Sequence, residues 1–346
     1  MKKKRTLIGI GISALFLFLA FRKSDFGQIV EQVRQIDVLV LLASLPVLFL
    51  AFWARALRWR CLLLESGRLK LNSVFGATMI GFMSLNVLPF RVGDFIRAYV
   101  LGHREGLSKS SVFATIVVER LFDGFTLLSI VLISLFLLPF PLEPAVIAWV
   151  RAFSYLAVAI YVLALIALLL ISFRRSFIIS LAEKLLSRTP HLRERIVGII
   201  HAFAEGLTTI RSVKAFIIVV FYSILVWVFS AVFYWVIMFG FVTPGGVNLG
   251  IQVGFSGSLF VLGVIALGIM IPAGPGFVGT FELACIMAMG AVGATGSVAE
   301  SYAIVSHALQ FFPITLVGII YLYIQHFSFR EISANPEAVQ EALDEG

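Results

Sequence analysis

The chain has 346 residues, of which 60% are hydrophobic and 13% charged, and its formal net charge is +8. A soluble domain carries about a quarter charged residues, so this balance excludes an ordinary soluble enzyme. The basic residues stand in short segments between apolar runs, as positive-inside insertion places them, which excludes a nucleic-acid-binding surface.

Met1-Lys2-Lys3-Lys4-Arg5 leads into an apolar run over 7–21. No small-residue cleavage site follows, so the run reads as a retained first span rather than a signal peptide. A mixed-charge amphipathic stretch over 22–36 reads as a surface helix. Further full spans are predicted at 37–57, 111–138, 146–172, 215–240 and 298–325. Several exceed the ~20 residues that cross the hydrocarbon core as a helix, and none alternates as a barrel strand would.

Two other apolar regions, 72–101 and 250–290, are broken by Pro and Gly. The first contains Pro89 and Gly93, the second Pro272, Pro275, Gly276 and Gly279, and these positions read as hinges or gates. A shift of 186 residues lays Pro89, Val92, Gly93 and Phe95 on Pro275, Val278, Gly279 and Phe281, a shared P-x-x-V-G-x-F. Each copy follows a long apolar run and precedes a full span. The second arm of the first copy is too short to cross at ~1.5 Å per residue, so both regions are read as re-entrant hairpins, two true crossings being the alternative.

Lys and Arg in the N-terminal tail, in 58–70 and in 173–214 place those segments and both termini on the cytoplasmic side of the cell membrane. The first broken copy is then entered from inside and the second from outside, an inverted repeat of the kind that binds substrate near the midplane. The expected fold class is all-α: a polytopic helical membrane protein of about six full spans plus two broken re-entrant hairpins. The domain reading is one transmembrane unit, 1–329, with halves at about 37–172 and 215–325 and an acidic tail at 330–346. The joining segment 173–214 reads as a basic amphipathic helix on the anionic inner leaflet or as a plain cytosolic connector.

Ionisable side chains inside apolar segments cost ~2.5–3.5 kcal/mol on insertion scales and are usually paired or functional. Arg91, Asp94 and Arg97 lie in the first broken region, Glu119, Arg120 and Asp123 in the span 111–138, and Glu282 in the second broken region. Asp94 and Arg97 could cap a half-helix starting near Val92. Alternatively, Arg91 and Arg97 could clamp a phosphate, which a guanidinium holds in a bidentate fork. Glu119, Arg120 and Asp123 share a helix face, as a self-satisfied group or as a counter-charge that a substrate phosphate displaces. Glu282 has no basic neighbour in sequence and is expected to meet Arg91, Arg97 or Arg120 across the repeat. His307 reads as a satisfied core histidine rather than a proton relay, and Arg55, Arg58 and Arg60 as interfacial anchors.

Cys61 and Cys285 stand in distant segments without metal-ligand spacing and read as free thiols. Neither a glycine-rich phosphate loop nor H-E-x-x-H nor G-x-S-x-G occurs, so no cofactor, metal or enzymatic activity is expected.

The ordered set N-x-x-P-x-R-x-G-D-x-x-R (Asn86 to Arg97), V-E-R-x-x-D (Val118 to Asp123) and P-G-x-x-G-x-x-E (Pro275 to Glu282) resembles the flippase-like membrane domain of the lysylphosphatidylglycerol synthase family. The resemblance covers nearly the whole chain and implies a lipid-translocase fold. In the synthases a separate cytosolic domain makes the aminoacylated lipid; only 326–346 follow the last span here, so aminoacyl-lipid synthesis is not expected. The function expected is movement of an anionic phospholipid or polyprenyl-phosphate-linked lipid. Rival readings are a scaffold for a lipid synthase or glycosyltransferase, and a membrane enzyme acting on a lipid phosphate with Glu282 as general base.

Overall fold

The computed structural model describes residues 2–63, 69–88, 92–137, 174–185, 213–243, 245–271, 273–294 and 296–327, with scattered positions between 148 and 198. Pro89, Arg91 and Pro272, most of the predicted span 146–172 and of the segment 173–214, and the tail 330–346 lie outside the described residues. Helices α1 (Lys2–Phe21), α2 (Phe26–Arg34), α3 (Val38–Leu62), α4 (Leu71–Val87), α5 (Gly93–Glu105) and α6 (Lys109–Leu137) make the first part. After α7 (Arg175–Leu185) come α8 (Val213–Met238), α9 (Leu249–Gly268), α10 (Thr280–Ala291) and α11 (Ser297–Ile324). Among the described residues there is no strand, only an isolated bridge between Val242 and Asn248.

Local chemistry sets the helix ends. Asp25 accepts from the Gly27 and Gln28 N–H groups at 2.9 and 3.3 Å and starts α2, and Asp37 accepts from Leu39 N–H at 2.8 Å and starts α3. Such caps satisfy backbone donors that the first turn leaves orphaned. Gly106, in the left-handed region at φ 66°, ends α5.

By length and composition, α3, α8, α9 and α11 can each cross a membrane. They expose Leu42 and Trp53 on α3, Phe221 and Ile224 on α8, and Phe312 and Leu316 on α11, an apolar girdle suited to lipid. The protein is a helical membrane protein. In the second broken region α9, at 20 residues, is itself long enough to cross, whereas α4 and α5 are 17 and 13 residues and α10 is 12.

The chain doubles back between α4 and α5. A Cβ on Gly81 would meet Arg97 Cβ at 2.8 Å, and one on Gly93 would collide with Gly81 O, so the two helices pack backbone to backbone where small residues allow it. The same order recurs in the second half: a helix (α9), a Pro/Gly break, a short helix (α10) and a long helix (α11). Packing between the halves is reciprocal. Helix α3 lies along α8, α4 along α11 and α6 along α9. Gly318 on α11 sits against Met79 and Met83 of α4, and Gly263 on α9 against Val131 of α6. The first helix of each copy thus packs against the last helix of the other.

Candidate functional site

Three helices bring their charges together. Glu119 and Asp123, one turn apart on α6, face Arg58 of α3, at 3.1 Å from Nη2 and 2.7 Å from Nη1 respectively. Arg97 of α5 grips Glu119 through both terminal nitrogens, at 3.1 and 3.0 Å, in the bidentate fork that a guanidinium offers a carboxylate. Arg55 donates to Asp123 at 3.1 Å. Arg120 turns the other way, to Asp94 in the first turn of α5, through Nε at 3.0 Å and Nη2 at 2.5 Å, and reaches Asp123 at 3.4 Å.

Neighbours fix this arrangement. Trp59 lies flat under Arg97, 3.7 Å from ring centroid to guanidinium carbon, and its indole N–H donates to Thr115 Oγ1 on α6 at 2.9 Å. A cation over an indole face is the strongest common form of that contact. Ser223 of α8 accepts from Arg58 Nη1 at 3.0 Å, so the second half also supports the cluster. Phe82 of α4 lies under both Arg55 and Arg120.

Burial is graded across the group. Arg58, Arg97 and Glu119 are wholly enclosed, while the side chains of Asp94 and Arg120 are 27% and 36% exposed. The cluster therefore has a closed end and an open end. Among the described residues four guanidinium groups face three carboxylates, which leaves one positive charge in excess. The enclosed Nε groups of Arg55, Arg58 and Arg97 donate to no acceptor among the described residues.

The sequence-predicted residues Asp94, Arg97, Glu119, Arg120 and Asp123 thus meet, though in different pairs from those expected. Asp94 pairs with Arg120 rather than capping against Arg97, and Arg97 is taken by Glu119. Arg91 lies outside the described residues. Arg55 and Arg58 are not interfacial anchors: at i and i+3 they share the buried face of α3 that carries Ala51, Ala54 and Trp59. That spacing, with small residues alongside, was the available signal.

Glu282 does not join the arginines. Its Oε1 lies 2.5 Å from His307 Nδ1 on α11, and its Oε2 accepts from Gly279 N–H at 2.6 Å. The reason is helical phase: Glu282 stands in the first turn of α10, where a carboxylate reaches back to the free N–H at the helix start, and α11 presents His307 beside it. His307 Nε2 contacts Gly276 O at 2.9 Å, and Phe281 stacks on the ring at 4.3 Å. Gly276 in turn abuts Asn86 at the end of α4, whose amide donates to Thr315 Oγ1 at 3.0 Å and Phe311 O at 3.3 Å. The end of α4 and the second break lie side by side. Cys61 and Cys285 are both free thiols, and no group of three or more His, Cys, Asp or Glu suited to a metal occurs among the described residues.

The profile of the lysylphosphatidylglycerol synthase TM region matches residues 6–318. The chain belongs to that family. Among curated proteins, it is 27% identical over 333 residues to Glycosyltransferase AglD of Haloferax volcanii, a match covering 90% of this chain and 52% of that protein. It is 24% identical over 334 residues to a UPF0104 membrane protein of Methanothermobacter thermautotrophicus, covering 92% and 94%. The chain therefore spans about half the length of the first relative and nearly all of the second. For this member of the synthase TM-region family, the match takes in both broken regions and every residue of the charge cluster.

Proposed function

We propose that the protein is a lipid translocase whose arginine cluster receives the phosphate of an anionic phospholipid or a polyprenyl-phosphate-linked lipid. The observation that carries this is the excess positive charge among the described residues: four guanidiniums against three carboxylates, inside a helical membrane bundle. An enclosed ion group of balanced charge has no call on a ligand, whereas one with a surplus cation is completed by an anion. The headgroup enters at the open end. Arg120 and Arg55 make the first contact, Asp94 yields to the phosphate, and Arg58, Arg97, Glu119 and Asp123 hold the local charge behind them. The broken segments around Pro89 and Gly93 and around Pro272, Pro275, Gly276 and Gly279 are the gates of an inverted repeat. The protein sits in the cell membrane with both termini cytoplasmic, uses no cofactor, and performs no covalent step itself.

Reconstitution into proteoliposomes with fluorescent phosphatidylglycerol or phosphatidylcholine tests the reading. Wild type is expected to move the anionic lipid selectively, and Arg120→Ala and Arg97→Ala to lose that movement. Unchanged transport in well-folded variants would sink it.

A second reading has one observation behind it: a relative named as a glycosyltransferase contains a region like this chain within a protein about twice as long. The domain would then serve a lipid-linked glycosyltransferase, as translocator of its product or as its membrane scaffold. Co-purification with such an enzyme, without lipid movement in the reconstituted system, would favour the scaffold.

A further inference from the structure

The pair formed by Glu282 and His307 is separate from the arginine cluster, and its hydrogen-bond arithmetic has one solution. Gly276 O can only accept, so His307 Nε2, 2.9 Å away, carries a hydrogen. A neutral imidazole then presents a bare lone pair at Nδ1. That lone pair would face Glu282 Oε1 at 2.5 Å, and two acceptors do not approach so closely. One proton therefore lies between them, on Nδ1 of an imidazolium or on Oε1 of a carboxylic acid. With it the pair is neutral; without it the pair carries one buried negative charge.

Among the described residues the surroundings supply no substitute charge. On α10 the next ionisable group is the Cys285 thiol, one turn on and buried. On α11, Glu300 lies about two turns back and bonds Ser24, and Tyr302 donates to Tyr234 O. Tyr234 of α8 donates to Gln310. Helices α4 and α9 carry no titratable residue, and α1 presents Ser13. Deprotonation would leave a lone carboxylate among apolar helices, which is costly unless the site opens.

The same pair holds the second break in place. Gly276 O rests on His307 and Gly279 N–H on Glu282, so the loop is held at both points by a pair that the shared proton keeps together. Gly276, Phe277 and Gly279 all stand at positive φ, 68°, 60° and 93°. Phe277 in that region is a backbone held by its surroundings rather than one at rest. Loss of the proton sets the Nδ1 lone pair against Oε1 and drives Glu282 and His307 apart, and with them the Gly279 and Gly276 ends of a loop inclined to leave.

We propose that Glu282 and His307 form a proton-binding site that latches the 273–279 loop, and that this proton is coupled to lipid movement; the coupling rests on the translocase reading. On release the proton passes from Nδ1 or Oε1 to water admitted by the opened loop, and on uptake it returns by the same route.

Hydrogen–deuterium exchange of the whole chain in phosphatidylglycerol-containing nanodiscs, corrected for intrinsic pH dependence, reads the latch directly. In wild type the amides of 276–283 are expected to be protected at low pH and to lose protection through a one-proton transition. In Glu282→Gln the carboxamide accepts from Gly279 N–H and donates to a neutral Nδ1, copying the protonated pair, so protection persists at every pH. His307→Ala is expected to be unprotected throughout. A pH-flat wild type, or a transition that survives in Glu282→Gln, overturns the site. In proteoliposomes carrying fluorescent phosphatidylglycerol, an imposed pH gradient is expected to change the rate for wild type and not for Glu282→Gln. Lipid movement indifferent to the gradient in wild type overturns the coupling. No lipid movement under any condition removes the translocase reading, while the exchange transition leaves the proton site standing.

Discussion

Arg58 lies between Glu119 and Asp123, 3.1 and 2.7 Å from an oxygen of each, and reaches them from a different helix. Two carboxylates one turn apart on a single helix repel, and enclosed in a bundle they repel more strongly because the dielectric is low. Arg58 makes that pair tenable and ties α3 to α6 in doing so. The first expectations follow from this dependence.

Glu119 holds Arg58 and Arg97, both wholly enclosed. Glu119→Ala is expected to cost about 3–5 kcal/mol, the usual loss when one partner of a buried pair is removed. Adding Arg97→Ala removes one stranded charge and should recover part of that loss. Thermal unfolding in detergent measures both; a single variant as stable as wild type would show that the enclosed pairing is not what holds these helices.

Arg120 stands at the open end, with a side chain 36% exposed. Its pair with Asp94 is worth no more than about 1 kcal/mol to stability, so Arg120→Ala should fold. Its affinity for phosphatidylglycerol should fall by the ~1.5–3 kcal/mol of a charge-assisted hydrogen bond, roughly ten- to a hundredfold. Phosphatidylcholine presents the same phosphodiester but adds a quaternary ammonium that the surplus cation repels, so its weaker binding should fall by a smaller factor. Lipid titration in nanodiscs compares the two.

Two glycines should respond in opposite directions. A Cβ on Gly318 would lie 2.7 Å from Met79 O and collide with Met83, so Gly318→Ala is expected to cost about 1–3 kcal/mol through overpacking. Nothing lies within 4 Å of a Cβ on Gly290 in α10, and Gly290→Ala should be neutral or stabilising by about 0.5–1 kcal/mol through backbone entropy. Equal effects in unfolding experiments would contradict the α4–α11 contact.

Asn86 joins the end of α4 to α11 through Thr315 and Phe311. Asn86→Ala is expected to cost about 1–2 kcal/mol for the two hydrogen bonds lost. Since Asn86 O also abuts Gly276, amide exchange over 273–279 should rise in the same variant. A change in stability without a change in exchange would mean that the two breaks move independently.

Much of this was legible in the sequence. Apolar length marked the spans at 37–57, 215–240 and 298–325, because the bilayer dictates it. Asp94, Arg97, Glu119, Arg120 and Asp123 stood out because charge inside an apolar run needs a reason. Their partners were harder to read. Asp94 and Arg97 are three residues apart and invite each other, yet α6 offers each a better-placed partner across the helix interface. Arg55 and Arg58 were hidden by position: arginines near the end of a span usually reach for headgroups, and only the packing of α3 against α6 and α8 shows that these two turn inward. Charge and the repeat together point Glu282 at the arginines, and the structure gives it His307 instead. Glu282 and His307 tie the short helix α10 to the long helix after it, as Arg97 and Glu119 tie α5 to α6, so the partner lies on the next helix in each case.

The exchange of partners between the halves bears on how the protein is made. Helix α6 leaves the ribosome well before α9, and α4 well before α11, so each must wait in the bilayer or the insertion machinery without its eventual neighbour. The arginines of α3 meet their carboxylates with α6, and Arg58 gains Ser223 only with α8. Assembly is therefore a late event, completed when the last helix enters. A nascent chain stalled before that point would have its charges paired but would leave bare to lipid the small-residue face of α4 that α11 covers, which makes its surveillance by membrane quality control a matter of timing rather than of sequence.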